Sequence, residues 1–442
     1  MLKKYTFRGG IHPLQERHGG KNETRGEKIR EYIPDTVTIP MDIHIGASSV
    51  PCVQKGDVVK LGQVIGEAAN PRSIPVHASV SGTVTDVGMR QMVGKHASLC
   101  VTIQNDKQDE WVDLIKVGDV ETAPREDIIP AIRDAGICGL GGACFPTHAK
   151  MTIPEGKRVD TLIINGAECE TFLTADYRLM LEQPERIVDG ARLAMRALGV
   201  DRCIIAIEDN KPEAIEAVQN ATAGRTGITV AVLKTKYPQG GEKSLINALL
   251  KREVPSGGLP MDVHVVVLNV GTAAAIADAI VDGMPLISRI TTVAGNVKQP
   301  SNLRVRIGTP VHDIIKACGG YLSPPGKIVF GGSMTGICVP DDTVSVTKAN
   351  NGIIVLDQKE AALPDERQCI RCGRCIRACP IYLNPFRLKH WADTGDFEQA
   401  EKEHVMDCIV CGACSYVCPA RRQLSASIKA AKDAMTARRV KQ

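Results

Sequence analysis

Val159-Asp160-Thr161-Leu162-Ile163-Ile164-Asn165-Gly166 opens a stretch in which strand-like and helix-like blocks alternate. A short apolar run ending in Asn-Gly reads as a buried strand meeting a turn. Residues 184–199 follow, PERIVDGARLAMRALG, with Ile187, Ala191, Leu193, Ala194 and Leu198 at amphipathic-helix spacing and Gly199 as the stop. CIIAIED (203–209), KPEAIEAVQNATA (211–223), ITVAVLK (228–234), GGEKSLINALLKREV (240–254) and DVHVVVLNV (262–270) continue as strand, helix, strand, helix and strand. With the helical EDIIPAIRDAGI before them, these blocks predict an α/β domain with a largely parallel sheet over 124–285.

The texture changes on either side. Residues 1–35 are polar and rich in Gly, Lys and Arg, and read as an extended arm. Over 36–123, Val/Ile/Thr-rich runs turn at glycines, which predicts a compact all-β unit. Gly56-Asp57, Gly62-Gln63 and Ser81-Gly82-Thr83-Val84 in that unit resemble a biotinyl/lipoyl-type barrel-sandwich hybrid. Glu67 to Pro75, where such domains carry a modifiable lysine, holds none, so a docking domain without a swinging arm is expected. Residues 286–346 return to short strands with one helix at PVHDIIKACGG, a small α+β module. A linker, a cysteine block and a basic tail occupy 347–442.

The chain has 442 residues, too many for one ordinary core, and 43% hydrophobic with 24% charged residues excludes a disordered or fibrous protein. At 3% aromatic residues and a net charge of +4, nucleic-acid binding is not expected. The longest apolar run, Val263 to Val281, is interrupted by His264, Asn269, Gly271 and Asp278 and reads as strand into helix rather than a bilayer span. With no apolar leader after Met1, reduced thiols serving as metal ligands suit the 16 cysteines better than disulfides.

Eight of them form two runs: Cys369-x2-Cys372-x2-Cys375-x3-Cys379-Pro380 and Cys408-x2-Cys411-x2-Cys414-x3-Cys418-Pro419. This is the bacterial ferredoxin spacing, twice, in which three thiolates grip one [4Fe–4S] cube and the fourth reaches the other. Cys369, Cys372, Cys375 and Cys418 are assigned to one cluster; Cys408, Cys411, Cys414 and Cys379 to the other. A pair of zinc ribbons would leave the third in-line cysteine and the Cys-Pro pair without a role. The stretch between the runs makes this an alpha-helical two-cluster ferredoxin domain.

A second motif, Gly139-Leu140-Gly141-Gly142-Ala143-Cys144-Phe145-Pro146-Thr147 leading to Lys150, lets backbone approach a flat ring or a phosphate. It is neither a Walker A loop nor a dinucleotide fingerprint. It resembles the GRGGAGFPTGLK segment of the NADH-binding flavoprotein subunit of respiratory complex I. Asn165-Gly166-Ala167-Glu168-Cys169-Glu170, Tyr237-Pro238-Gln239-Gly240-Gly241-Glu242 and Asn269-Val270-Gly271-Thr272 resemble that family's next three landmarks, in order. The resemblance implies non-covalent FMN held by Gly139, Gly141, Gly142 and Lys150, with Asn165, Glu168, Tyr237 and Asn269 on ring and ribityl groups. It implies further that Phe145 stacks on nicotinamide and that Glu170 and Glu242 lie near the nucleotide. Leu140 and Cys144 depart from the family's Arg and Gly. A flavin between NAD(H) and iron–sulfur cubes is chemically coherent, because it exchanges electrons in pairs with one and singly with the other.

Residues 286–346 resemble the soluble-ligand-binding β-grasp that follows such flavin domains. With the opening TFRGGIHP, the order of modules resembles the C subunit of the Rnf electron transport complex. That resemblance implies electron exchange between NAD(H) and ferredoxin coupled to Na+ or H+ translocation. It also implies a peripheral place on the cytoplasmic face, with membrane-embedded Rnf subunits and a ferredoxin-like iron–sulfur subunit as partners and ferredoxin or flavodoxin as the indirect one. A microcompartment cobalamin reductase, a hydrogenase diaphorase subunit and a non-catalytic relay scaffold are the alternatives, Leu140 being the scaffold's best support. Residues 366–442 carry 14 Lys+Arg against 8 Asp+Glu, so the basic tail is a helix that could meet anionic lipid or an acidic partner, or simply be solvated.

Overall fold

The computed structural model of the protein describes residues 3–93 and 97–441. At its centre is a parallel five-stranded sheet in the order Lys4–Tyr5, Ile228–Leu233, Cys203–Glu208, Thr161–Gly166, Val265–Asn269. Every residue of Cys203–Glu208 is buried, as a parallel strand covered on both faces requires. Register sets Asn165 beside Asn269, so two predicted site residues share the carboxyl edge of the sheet. Helices Pro184–Leu198 and Val270–Val281 cross so closely that a Cβ on Gly190 would lie 1.7 Å from the Ala273 carbonyl oxygen. Glycine is required there. Gly199, at φ +69°, ends the first of these helices with its N–H on the Arg196 carbonyl.

The all-β unit is two sheets. One runs Thr36–Pro40, Ala97–Asn105, Gly82–Gln91, Val58–Val59; the other runs Val50–Pro51, Val64–Glu67, Val76–His77. The small module is a six-stranded sheet ordered Ile337–Val339, Pro325–Phe330, Gly352–Asp357, Ser288–Gly295, Ser301–Arg306, Ile29–Tyr32. Two of these strands correct the sequence reading. Gly352–Asp357, assigned above to a linker after residue 346, is an inner strand of the module, paired on both sides. Its run Ile353-Ile354-Val355 is fully buried, the ordinary signature of an inner strand. Residues 1–35 are more than an arm: Lys4–Tyr5 edges the central sheet and Ile29–Tyr32 edges the module.

The cysteine-rich end folds as short helices around Cys379, Leu383, Leu388, Ala400, Val405, Ile428 and Met435. Helix Leu424–Lys441 turns Leu424, Ile428, Ala431 and Met435 inward, a spacing of one helical face, and packs on Pro385–Thr394. The apolar face of the basic tail is therefore used inside its own domain. Among the described residues, no helix is long and apolar enough to cross a membrane.

Candidate functional site

The glycine loop is pinned at its neck, where the Gly139 N–H donates to the Phe145 carbonyl (2.9 Å) and the Thr147 N–H to the Ile137 carbonyl (3.0 Å). Gly141 backs onto Asn269, whose Cβ would lie 2.9 Å from any Cβ placed on the glycine, while around Gly142 there is open space. Phe145 is 44% exposed at the end of the loop, outside the core. Lys150 Nζ donates to Glu242 Oε1 at 2.5 Å. Asn165 Nδ2 donates to the Gly240 carbonyl (2.8 Å), and Asn269 Nδ2 to Asp176 Oδ2 (2.7 Å). The glycine loop is thus an open shelf of backbone that meets Asn269 at the sheet's carboxyl edge, with Asn165 beside Asn269 and bonded to Gly240, and the Lys150–Glu242 pair two residues further along. Bare backbone, an exposed aromatic and a lysine–glutamate pair suit a flat, phosphate-bearing ring system, so the residues fit FMN.

The remaining three predicted residues face elsewhere. Glu168, Glu170 and Tyr237 line a cavity of about 290 Å³ with His12, Lys21 and Lys211, beneath the N-terminal segment. Glu168 accepts from the Asp176 and Tyr177 N–H groups (2.7 and 3.2 Å) and so caps helix Ala175–Glu182. Burial raises its carboxyl to about 7, against the opposing pull of Lys21. Glu170 accepts from the Met334 N–H at 3.1 Å and the Thr335 hydroxyl at 2.5 Å, both on the β-grasp side, and burial raises its pKa too. Tyr237 is buried, with its hydroxyl donating to the Cys411 carbonyl at 2.7 Å. In this structure these three groups are held by protein partners.

The cysteines fall into two quartets, each facing its own small cavity. Cys379, Cys408, Cys411 and Cys414 line one; Cys369, Cys372, Cys375 and Cys418 line the other. Each quartet takes one member from the opposite run, as the spacing argument expects. No group of three or more His, Cys, Asp or Glu among the described residues is gathered closely enough for a single ion. Four thiols spread around a void suit the corners of a cube better than one tetrahedral zinc. The quartet of Cys379, Cys408, Cys411 and Cys414 abuts the Tyr237–Glu242 stretch, where Ile409 Cδ1 would lie 3.7 Å from a Cβ on Gly241, and the N-terminal segment, whose Gly10 N–H donates to the Ala378 carbonyl at 2.9 Å.

Several residues escaped sequence reading. Lys21 reaches from the N-terminal segment to the Glu168, Glu170 and Leu173 carbonyls, at 2.9, 2.7 and 2.5 Å. A lysine in a polar stretch carries no signal of such a reach. Asp176, which orients Asn269, sits in the first turn of a helix, where an acidic residue reads as dipole complementarity. Arg289 is buried behind the loop and donates to the Leu140 carbonyl.

Four family models match the chain: the RnfC barrel sandwich hybrid domain over 5–108, the Nuo51 FMN-binding domain over 132–278, the SLBB domain over 290–337 and a 4Fe-4S dicluster domain over 362–433. Among similar curated proteins is the C subunit of the Na(+)-translocating ferredoxin:NAD(+) oxidoreductase complex of Acetobacterium woodii, 44% identical over 100% of this chain and 99% of its own. Another is the C subunit of the proton-translocating ferredoxin:NAD(+) oxidoreductase complex of Clostridium ljungdahlii, 45% identical over 91% and 88%. A solved structure of NAD+-reducing [NiFe]-hydrogenase in the air-oxidized state shares the fold over 72% of this chain and 69% of that one, at a TM-score of 0.51 and 20% identity.

Proposed function

Because the chain belongs to the RnfC family, the C subunits of ion-translocating oxidoreductase complexes, we propose that it is the NAD(H)-facing member of such a complex, exchanging electrons between NAD(H) and ferredoxin in a reaction coupled to Na+ or H+ translocation. It sits peripherally on the cytoplasmic face, against membrane-embedded subunits and a ferredoxin-like iron–sulfur subunit. Bound FMN supplies the exchange between paired and single electrons. Gly139, Gly141, Gly142 and Lys150 hold it, with Asn165 and Asn269 orienting its ring side. Phe145 supplies the exposed face for nicotinamide, beside Glu242. Glu168, Glu170 and Tyr237 act from behind, fixing the sheet's carboxyl side to helix Ala175–Glu182, to the β-grasp module and to the cluster domain respectively. Cys379, Cys408, Cys411 and Cys414 bind the inner cluster, and Cys369, Cys372, Cys375 and Cys418 the outer one.

The single observation that carries this reading is the seat of the inner quartet against the Tyr237–Glu242 loop, with the tyrosine hydroxyl on the Cys411 carbonyl. Anaerobic purification from cells expressing the whole complex tests the assembly. The chain is expected to co-purify with integral membrane subunits from detergent extract. Recovery only as a free, salt-insensitive single chain would refute the membrane-complex reading.

A further inference from the structure

The two cysteine runs differ most in what stands between their ligands. Between Cys369 and Cys379 lie Arg371, Arg374 and Arg377 and no acidic residue; between Cys408 and Cys418 the same places hold Val410, Ala413 and Tyr416, and no charged residue at all. The backbone is the same in both. Arg371 and Val410 are left-handed at φ +55° and +53°, Gly373 and Gly412 at φ +70° and +76°, and a short helix follows each glycine. A run of this spacing therefore folds with Val, Ala and Tyr at those places. Wrapping a cluster does not require arginine there.

All three arginines are exposed. Among the described residues none of them makes an ion pair; Glu366 and Asp393 of the same domain are paired instead with Lys389 and Arg422. Arg374 and Arg377, three apart in helix Arg374–Ala378, repel each other, and Arg374 opens that helix, where its dipole disfavours a cation. The charge costs the fold something and is not neutralised within it. Its surroundings are those of a contact surface. Arg374, Cys418 and Pro419 line both the cavity of the exposed quartet and an open groove of about 480 Å³ beside it, which Arg377 and Tyr416 also line. Ile370 and Ile376, adjacent in the chain to Arg371 and Arg377, are exposed, and so is Tyr416. Arginine and tyrosine with interspersed apolar side chains are the composition of protein-binding patches.

We propose that this face of the cluster domain is the docking surface for an acidic one-electron carrier protein, whose carboxylates meet Arg371, Arg374 and Arg377 while its redox centre exchanges one electron with the cluster of Cys369, Cys372, Cys375 and Cys418. The inference rests on the electron-transfer role proposed above and names the surface that role uses. One centre loses an electron and the other gains it; no bond forms or breaks. Cations set around the exit of a redox centre steer a negatively charged carrier to it and fix its orientation. A lipid headgroup would also satisfy the arginines, but it neither gives nor takes an electron, and a groove walled by a cluster ligand is placed for a partner that does.

The test uses the anaerobically prepared full chain with its clusters oxidised. It is mixed in stopped flow with an acidic bacterial ferredoxin that has been reduced and freed of excess reductant, and freeze-quenched samples identify the cluster that gains the electron. The second-order rate constant is expected to fall about tenfold between about 20 mM and about 300 mM salt. Replacing the arginines by the residues of the other run, Arg371→Val with Arg374→Ala and Arg377→Tyr, is expected to keep about eight iron atoms per chain. It should lower the low-salt rate about tenfold and flatten the salt dependence. If that triple variant loses iron, Arg377→Glu, which lies in the groove and outside the cluster cavity, is read in its place, with the same fall expected. A wild-type rate indifferent to salt, or a variant with the wild-type rate and slope, overturns the proposal. So does binding to phosphatidylglycerol vesicles that the triple substitution abolishes while ferredoxin exchange stays unchanged, which assigns the arginines to lipid. Exchange without salt dependence removes the docking surface alone, whereas no exchange at any salt would remove the electron-transfer role with it.

Discussion

The two cysteine runs are near copies in sequence, yet their surroundings differ. Cys372 is exposed and its neighbour Ile370 is 69% exposed, so the first quartet opens toward solvent. Cys379 and Cys414 are buried, and the second quartet is tied to the flavin-like domain through Tyr237, Gly241, Gly9 and Gly10. Identical ligand spacing therefore meets two settings: one quartet faces the interior of the chain, the other opens to solvent. The repeat dictates the ligands, while tertiary packing distinguishes their surroundings.

The strongest way to break this comparison is Cys411→Ser. We expect iron to fall from about eight to about four per chain, with NADH still bleaching flavin but reduction of the outer cluster lost, measured by anaerobic iron analysis and electron paramagnetic resonance. Equal loss of flavin bleaching would show that the inner quartet is not downstream. Cys372→Ser sharpens the opposite half. Iron again falls to about four, NADH still reduces the inner cluster, and transfer to the partner complex stops. Continued transfer would remove the exposed quartet from the path.

A smaller effect is expected of Tyr237→Phe, which deletes the hydroxyl on the Cys411 carbonyl and leaves a partly buried acceptor unmatched. The cost is about 1–3 kcal/mol, read as a lower denaturation midpoint for the cluster domain and a slower flavin-to-cluster step. An unchanged midpoint and rate would mean that the contact does not join the two domains.

Glu168 gives the smallest expected effect. Burial raises its folded pKa from 4.5 to about 7, so the folded state binds its proton more tightly than the unfolded chain does. Its contribution is full below about 4.5 and is lost as pH rises through about 7. Anaerobic unfolding at pH 5.5 and 7.5 should show a stability decrease that Glu168→Gln reduces. A slope unaffected by the substitution would place the titration elsewhere.

Much of this was legible because chemistry with fixed spacing leaves a mark. The alternation from Val159 to Val270 becomes the parallel sheet, and each cysteine quartet borrows one member of the other run. What was not legible depended on tertiary reach. Lys21 in a polar arm tethers three carbonyls 147 to 152 residues away. Ile353-Ile354-Val355 lies beyond the expected end of its module, and no local signal says which sheet an isolated apolar run will join. Glu168, expected on ring and ribityl groups, accepts here from the first turn of helix Ala175–Glu182, and Glu170, expected near the nucleotide, accepts from Met334 and Thr335, because the β-grasp module closes over that side of the sheet.

The most direct test is an NADH titration of anaerobically isolated chain with flavin and iron counted beforehand. The account predicts one FMN and about eight iron atoms per chain, with NADH bleaching the flavin and cluster reduction appearing afterwards in the inner quartet before the outer. Protein that holds flavin and iron but shows the outer quartet reduced first, or clusters reduced while Gly141→Ala has emptied the flavin shelf, would contradict it.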